Sequence, residues 1–447
     1  MENNIISHGP FIGDLTESHV KIWFRSHAAK KAGFVIRLFE NGEEADFKEI
    51  SVAEESDFIA VVKFRSLKSD TAYEAVLYLK KEILFTLSFK TKSKTKTDLH
   101  FAFGSCRYNH WHNPLLNDSL SGDQTFAEIL KVHKKNDLDF MLFLGDQIYA
   151  DPTYSLGISE SFDDFSTRYK DAFDPPHFQK LLSEISSYMI LDDHEIRDNW
   201  SKDMLETFSF FENREDIYRN GLKAYKLWQH SRNPDAGKEK LWYSFEQAGH
   251  PFFIMDIRTQ RILNPKRHQR KTTLGNEQLG DLFEWLYATK EKPVRFIGSG
   301  VPFIPDYKKQ EDKWCAFNEE RGLILEFIRV EGIGKTVFLS GDTHIGMFSK
   351  MTCVEDENFE IVNLVSSPFY WPYRGMYISD FYEKRSLTYD QWTDKSRRHR
   401  GIFEYKYEAG NWLRENQFAE VRLDKNGAGE VRHFNMKTAK FEKWYKF

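Results

Sequence analysis

The stretch LDFMLFLGDQIYAD, residues 138–151, decides how the central part of the chain folds. Its apolar run ends at Gly145 and Asp146, and an unbroken run of this length predicts a strand buried on both faces. Side chains just after such a strand lie at its carboxyl end, where α/β sheets form their ligand crevices. A single Asp after Gly commonly only turns the chain, so the meaning of Asp146 depends on how other strands end.

Three further apolar runs each deliver a metal-capable side chain at the same point. These side chains are Cys106 after HFAFGS, Asp192, Asp193 and His194 after YMIL, and Asp342 and His344 after VFLSG. Carboxylate, thiol and imidazole groups buried together repel one another or lose their hydration unless a cation neutralises them. The alternative is that each residue caps a helix or forms a turn. Four strands that end alike favour one shared metal site.

Helical periodicity separates these runs, at residues 125–134, 217–229 and 276–288. Apolar strands that alternate with helices predict an α/β fold whose sheets are covered on both faces. From about residue 359 the chain mixes strands with loops rich in Tyr and Trp, and the pattern leaves their topology open.

The first 90 residues have a different pattern. Between residues 20 and 90, short runs alternate apolar and polar residues: VKIWFRS, FVIRLFE, FIAVVKF, YEAVLYL and ILFTLSF. Such runs predict a small antiparallel β-sandwich without ligand candidates. The polar repeat KTKSKTKTD at residues 90–98 is typical of a linker. We therefore expect an N-terminal β-sandwich domain over residues 1–91 and a catalytic domain over residues 98–447.

Charge and cysteine content narrow the classes of partner and compartment. The 447 residues contain 63 Lys and Arg against 68 Asp and Glu, which gives a net charge of −5 and predicts no dedicated nucleic-acid surface. No stretch has the length of a membrane span, and the N-terminus lacks the pattern of a secretory signal. Three cysteines are too few for a disulfide framework, so we expect a reduced, cytoplasmic setting. Oligomeric state is not predictable from these features.

Other enzyme classes lack their defining motifs. The chain has no GxSxG elbow, no P-loop and no GxGxxG after a strand. Serine-hydrolase, nucleotide-hydrolysing and dinucleotide-binding chemistry are therefore not indicated.

Four motifs in order resemble the alkaline phosphatase D (PhoD-like) family, a branch of the calcineurin-like metallophosphoesterases. They are GSCR at residues 104–107, GDQIYAD at 145–151, DDHEIRDNW at 192–200 and SGDTH at 340–344. The resemblance extends to the β-sandwich prefix, the HGPFIG opening and DIRTQR, and so covers nearly the whole chain. It implies an α/β, four-layer metallophosphoesterase-type β-sandwich core flanked by helices, preceded by a small all-β immunoglobulin- or fibronectin-like domain.

The resemblance also implies roles for individual residues. Asp146 would bridge two metal ions, and Cys106, Tyr149 and Asp342 would bind Fe³⁺. The second ion, often Ca²⁺ in the family, would use Asp146, Asp193 and Asp192, with Zn²⁺, Mn²⁺ or Mg²⁺ as alternatives. His344 follows Asp342 in the same motif and joins the predicted metal ligands, whereas His194 aligns with a catalytic histidine. Leu191 stands where the family commonly has Trp, and EIRDN departs from the family's EVxNN-like run, which leaves the role of Asn199 open.

Three arginines near these motifs have competing interpretations. Arg107 could clamp a phosphate through its planar guanidinium, or it could form an exposed ion pair. We expect Arg258 and Arg261, in DIRTQR, to pair with carboxylates such as Asp256. Cys315 and Cys353 have no ligand-like neighbours in the sequence and are expected to be inert.

Together these features predict an enzyme that hydrolyses phosphate esters with a metal-activated hydroxide. Its substrate would be a small phosphate ester, and both phosphomonoesters and phosphodiesters fit such a site. The competing hypothesis is a non-catalytic binding protein whose phosphoesterase site is degenerate. The intact set of candidate ligands argues against that hypothesis.

Overall fold

The structure, a computed structural model, describes residues 5–27, 33–108, 121–151, 157–207, 209–210, 212–237, 239–309, 312–372 and 376–447. The strands among them are β1 Ile6–Leu15, β2 Val20–Ser26, β3 Phe34–Glu40, β4 Glu43–Ile50, β5 Ile59–Phe64, β6 Ala72–Leu79, β7 Glu82–Lys90, β8 Leu99–Gly104, β9 Phe140–Phe143, β10 Ser187–Met189, β11 Tyr243–Gln247, β12 His250–Ile254, β13 Arg295–Ser299, β14 Thr336–Ser340, β15 Gly346–Cys353, β16 Asp356–Val365, β17 Lys384–Trp392, β18 Arg400–Leu413, β19 Gln417–Leu423, β20 Gly429–Asn435, β21 Lys440–Phe441 and β22 Tyr445–Lys446. The α-helices are α1 Ser121–Asn136, α2 Phe162–Phe173, α3 Pro176–Glu184, α4 Arg214–Trp228, α5 Gly275–Ala288 and α6 Asn318–Val330.

Two antiparallel sheets come from the first 90 residues, in the orders β1-β2-β5 and β4-β3-β6-β7. Their facing side chains, such as Phe24, Ile36 and Leu77, form one hydrophobic cluster. Trp23 points to the other face of the first sheet and belongs to a cluster with α1, α3 and α4. Both faces of β2 are therefore covered, which explains why all seven of its residues are buried although the strand also contains Lys21 and Arg25.

Two larger sheets form the remainder. One has the order β10-β9-β8-β19-β20, with the short β21 and β22 on β20, and its first three strands are parallel. The other has the order β11-β12-β13-β14-β16-β15-β18-β17, and four neighbouring strands in it, β12, β13, β14 and β16, run parallel. The sheets pack face to face through aromatic rings, with centroids 5.7 Å apart for Phe101 and Phe296 and 5.4 Å apart for Phe140 and Phe252.

Helices cover the outer faces of both large sheets. Phe178 of α3 packs on Phe143 of β9 with ring centroids 5.6 Å apart. Leu282 of α5 and Ile324 of α6 share a cluster with Phe338 of β14. The result is a mixed α/β fold, and the central strands are buried on both faces as their apolar runs predict. None of the described helices is long and apolar enough to cross a membrane.

The predicted elements agree with the structure where the sequence pattern is strong. VKIWFRS and FVIRLFE are β2 and β3, and the three predicted helices correspond to α1, α4 and α5. The exposed strand β4 was missed because its sequence EEADFKEI is mostly charged. The segment of the predicted linker contacts the body of the protein, since Lys96 forms a 2.6 Å ion pair with Asp139.

Candidate metal centre

The strand ends selected from the sequence come together at one edge of the two large sheets. Hydrogen bonds from backbone amides join them: the Cys106 amide donates to the Gly145 carbonyl at 3.2 Å, and the Asp342 amide donates to the Ser105 side-chain Oγ at 3.1 Å. Four of the predicted metal ligands have left-handed backbone conformations, which non-glycine residues rarely adopt: Cys106 with φ 57°, Asp146 with 56°, Asp342 with 65° and His344 with 52°. Such conformations are concentrated at functional sites.

Two groups of side chains could each hold a metal ion. Asp146, Asp193 and His194 form one group, and Asp192, Asp193 and Asp342 form the other; within each group the possible ligand atoms lie within 4.8 Å of one another. Asp193 belongs to both groups, whereas the family resemblance assigns the shared position to Asp146. The two groups are therefore adjacent, as a pair of neighbouring ions requires.

The Cys106 side of the site contains buried polar atoms that lack protein partners. Cys106 Sγ lies 3.1 Å from Asp146 Oδ2. Asp146 Oδ1 and Tyr149 Oη are buried and have no hydrogen-bond partner among the described residues. A buried carboxylate oxygen without a partner is costly, so these atoms fit a bound cation.

The pKa values of these groups also show that their negatively charged forms are unfavourable in the absence of a cation. Burial, together with the carboxylates of Asp193 and Asp192, raises the pKa of Asp146 well above its usual range. Burial also raises the pKa of the Cys106 thiol and of the Tyr149 phenol, and the nearby Asp146 carboxylate adds to both shifts. Negative charge at this position is unfavourable unless a cation is present, and ligand deprotonation is coupled to metal binding.

His194 is held by a carboxylate that the sequence analysis had not assigned. Its Nδ1 makes a short hydrogen bond to Asp151 Oδ2, while Asp151 Oδ1 accepts from Arg197 at 2.9 Å. Burial opposes the charged imidazolium, but the carboxylates of Asp193, Asp146 and Asp151 outweigh burial and raise the pKa of His194 well above its usual value. A protonated imidazole in a fixed orientation can act as an acid. Asp151 is the last residue of GDQIYAD, so the motif itself was the available signal.

His344 has the opposite charge preference. Its ring lies on that of Trp371, with centroids 4.1 Å apart. Burial, with repulsion from His194 and Lys313, lowers the pKa of His344 to about 3. The imidazole is therefore neutral near pH 7, which is the form that binds metals.

Asp192 has a different environment from the other predicted ligands. Asp192 Oδ1 accepts a hydrogen bond from Nε of the fully buried Arg258 at 2.5 Å. The same guanidinium donates from Nη1 to Asp312 Oδ1 at 2.7 Å, and its Nη2 lies 3.3 Å from Asp193 Oδ1. Arg258 thus pairs with carboxylates of the site, whereas Asp256 accepts only its backbone amide. The expected partner was wrong because sequence proximity to Asp256 does not reveal which carboxylates the fold brings near.

Glu195 connects two of the strand ends. Its carboxylate accepts the backbone amides of Asp146 and Asp192, both at 3.0 Å, and that of Gln147 at 2.6 Å. A buried carboxylate satisfied by backbone donors is a structural group, and this one fixes the ends of β9 and β10 relative to each other. The sequence analysis did not single out Glu195, although it lies within DDHE. Asn199 contributes its backbone amide, which donates to Asp193 Oδ2 at 2.7 Å.

Arg107 is not the exposed residue that the ion-pair interpretation expected. It is buried, its guanidinium lies 3.7 Å from the centre of the Phe178 ring, and it donates to the carbonyls of Ala172 and Gln147. Burial lowers its pKa to about 9. Arg107 forms neither the exposed ion pair nor a contact with the carboxylates of the candidate site, because its side chain packs beneath α3.

The fold and the collected ligand groups define a metal-dependent phosphoester hydrolase. A family model described as PhoD-like phosphatase matches residues 101–415. The chain belongs to this family of phosphatases.

Solved structures support the same fold. The chain is similar to a structure described as PhoD, at 16% identity and a TM-score of 0.67, over 100% of this chain and 92% of the other. It is also similar to a purple acid phosphatase from yellow lupin (Lupinus luteus) seeds, at 13% identity and a TM-score of 0.61, over 98% of this chain and 73% of the other. A comparison with curated proteins found no match.

Proposed function

We propose that the enzyme hydrolyses small phosphate esters at a centre of two different metal ions. Cys106, Tyr149 and Asp342 would hold Fe³⁺, and Asp193 with Asp192 would hold the second ion, for which Ca²⁺ suits oxygen ligands. Asp146 would bridge the two, and His344 would complete the ligand set. Metal ions bound there supply a nucleophilic water and neutralise charge on the phosphate.

The assignment of Asp146 depends on its two carboxylate oxygens. Oδ2 contacts Cys106 Sγ, and Oδ1 has no protein partner although it is buried. The same side chain belongs to the group with Asp193 and His194. Asp146 therefore has the thiol on one side and the oxygen-rich group on the other, and this is the observation that carries the proposal.

His194 is assigned to proton transfer. The Nδ1 bond to Asp151 fixes the ring and leaves Nε2 to face the leaving group, which it would protonate as the phosphorus–oxygen bond breaks. Against the effect of burial, Asp151 keeps its own negative charge because its bond with His194, the Asp198 amide, which donates at 2.7 Å, and Arg197 lower its pKa. This arrangement suits a leaving alkoxide that needs a proton.

We also propose that residues 1–91 form an immunoglobulin- or fibronectin-like domain that supports the catalytic domain of residues 98–447, whose core has four layers. The two N-terminal sheets have their own hydrophobic cluster, which supports this division. The described residues before Asp98 contribute no side chain to either candidate metal group.

The proposal is tested by assaying p-nitrophenyl phosphate and bis-p-nitrophenyl phosphate with and without chelator, together with metal analysis. We expect chelator to abolish turnover. The Asp146→Asn variant should lose nearly all activity, on the order of 10³-fold or more, together with both metals, because an amide cannot bridge two cations. The exposed Asp394→Asn serves as the control and should behave as wild type. Retention of one metal at full occupancy in Asp146→Asn would contradict the bridging role.

A further inference from the structure

Cationic side chains can bind the non-bridging phosphate oxygens alongside the metal ions, but Arg107 donates to the carbonyls of Ala172 and Gln147 instead. Among the described residues, Arg258 and Lys313 contact carboxylates of the candidate metal groups, and Arg261 is joined to both through Asp312. All three contact Asp312, which is itself buried. Asp312 thus gathers three cationic side chains beside the predicted ligands.

The two arginines are committed to structural bonds. Arg258 uses all three guanidinium nitrogens on Asp192, Asp193 and Asp312. Arg261 donates to the side chain of Asp312 and, at 2.9 Å, to its carbonyl, and its guanidinium lies 5.1 Å from the Phe317 ring centre. Both side chains are almost fully buried, so a ligand would have to break these bonds to reach them.

Lys313 is placed differently. Its Nζ contacts Asp342 Oδ2 closely and lies 3.3 Å from Asp312 Oδ2, and 4% of its side chain is exposed. The next residue, Trp314, is fully buried and donates from Nε1 to Ser299 Oγ at 3.1 Å, which fixes the backbone from which Lys313 extends. An ammonium has three donors on a flexible stem, so Lys313 can keep Asp312 and still donate to another acceptor.

Asp342 is also a predicted metal ligand, so Lys313 and a metal ion would compete for its carboxylate. Lys313 cannot hold the same carboxylate oxygen as a cation without strong like-charge repulsion. When Asp342 binds a metal, Lys313 keeps Asp312 and lacks its second acceptor. The best replacement at this position is an anionic oxygen of the bound substrate.

We propose that Lys313 is a substrate-binding residue that donates to a non-bridging phosphate oxygen and favours phosphomonoester dianions over phosphodiester monoanions. The inference rests on the proposed function. The preference follows because the attraction of a fixed ammonium grows with the charge of the ligand.

The experiment uses the full chain with its metals and compares wild type with Lys313→Met, Lys313→Gln and Lys313→Arg. Three quantities are measured: kcat/KM for p-nitrophenyl phosphate and bis-p-nitrophenyl phosphate, the dissociation constant of inorganic phosphate by calorimetry, and metal content. Lys308→Met is the control, because Lys308 is exposed and contacts the Ser379 carbonyl.

We expect the neutral variants to lose about tenfold to a hundredfold in kcat/KM for the monoester and about as much in phosphate affinity, the range of one charge-assisted hydrogen bond. The loss for the diester should be several times smaller, and Lys313→Arg should recover part of the phosphate affinity. Metal content should stay near that of wild type. Lys313→Gln and Lys313→Arg keep a hydrogen-bonding group and provide the test if Lys313→Met does not fold.

Equal losses for both substrates, or an unchanged phosphate dissociation constant, would overturn the role of Lys313. A structural role alone would lower stability or metal content without changing phosphate affinity per metal-loaded protein. Wild type that hydrolyses neither ester would instead contradict the proposed function, and the phosphate titration would still decide whether Lys313 binds the anion.

Discussion

At the scale of single residues, Cys106 and Tyr149 are the most informative about metal identity. A thiol and a phenol, with ordinary pKa values of about 8.5 and 10, must both lose a proton to act as ligands, although burial raises both pKa values here. Such a pair favours Fe³⁺ over Ca²⁺ or Zn²⁺. We expect the purified protein to be coloured through charge-transfer absorption, and Cys106→Ser or Tyr149→Phe to shift or bleach the band and lower iron content.

Two other cysteines provide matched controls for this measurement. Cys315 donates to the Tyr307 carbonyl and Cys353 lies near Glu355, both away from the candidate metal groups. Cys315→Ser and Cys353→Ser should leave the visible spectrum unchanged. A colourless and fully active enzyme without iron would refute the iron assignment.

His194 can be tested as an acid independently of its proximity to the metal ligands. We expect His194→Ala to keep metal content near normal and to slow hydrolysis of esters with poor leaving groups by about 10²–10⁴-fold, with smaller effects on p-nitrophenyl esters. Asp151→Asn should show the same leaving-group dependence to a lesser degree, because Asp151 orients the ring. Loss of a metal in His194→Ala would show instead that His194 is a ligand, as its group with Asp146 and Asp193 allows.

At the scale of elements, the end of β9 depends on a glycine. Gly145 has φ +91°, and a Cβ at this position would lie 2.2 Å from the Cβ of Asp192. Gly145→Ala should therefore destabilise the protein by about 2–4 kcal/mol and lower occupancy of the second metal, because Asp192 must move. Urea unfolding and metal analysis test this, with Gly334→Ala as the control because no atom lies within 4 Å of its added Cβ. Equal unfolding free energies for the two variants would contradict the expectation.

The ligands at the strand ends could be predicted because each of them directly follows a buried apolar run in the sequence. Cys106, Asp146 and Asp342 follow this pattern, and the structure brings them together. The partners of Asp192 were not predictable in this way. Arg258 and Asp312 are 66 and 120 residues away in the chain, and only the fold shows that they share a buried ion-pair network.

The strand missed by the sequence analysis has a similar explanation. β4 is exposed and mostly charged, so it lacks the alternation that reveals a half-buried strand. Its pairing with β3 supplies the structure that its side chains do not encode. Tertiary pairing therefore decides its conformation, and a single sequence carries little sign of it.

At the scale of the whole molecule, the N-terminal sheets are packed firmly on the catalytic part. Trp23 lies between Phe11 and Trp228, with ring centroids 5.0 and 5.3 Å away. The carboxylate of Asp57 accepts hydrogen bonds from Arg25 at 2.9 Å and from Trp228 at 3.1 Å. Deleting the residues before Asp98 would uncover this surface. We expect the deletion to lower stability and solubility more than turnover per bound metal.

A milder variant tests the same expectation without removing the sheets. Trp23→Ala should lower the free energy of unfolding by about 3–5 kcal/mol and leave kcat nearly unchanged, whereas the half-exposed Phe47→Ala should change both only slightly. Urea unfolding and steady-state kinetics provide the measurements. A fall in kcat at unchanged stability would show that the N-terminal part shapes the active site.

The order of the strands also constrains when the enzyme can become active during its synthesis. β8, which leads to Cys106, pairs with β9 on one side and with β19 on the other. A chain emerging from the ribosome completes β8 and β9 early but must wait for residues 417–423, more than 300 positions later, before the open edge of β8 is paired. Until then the nascent catalytic sheet exposes an unpaired edge strand, whose free backbone groups can pair with other chains.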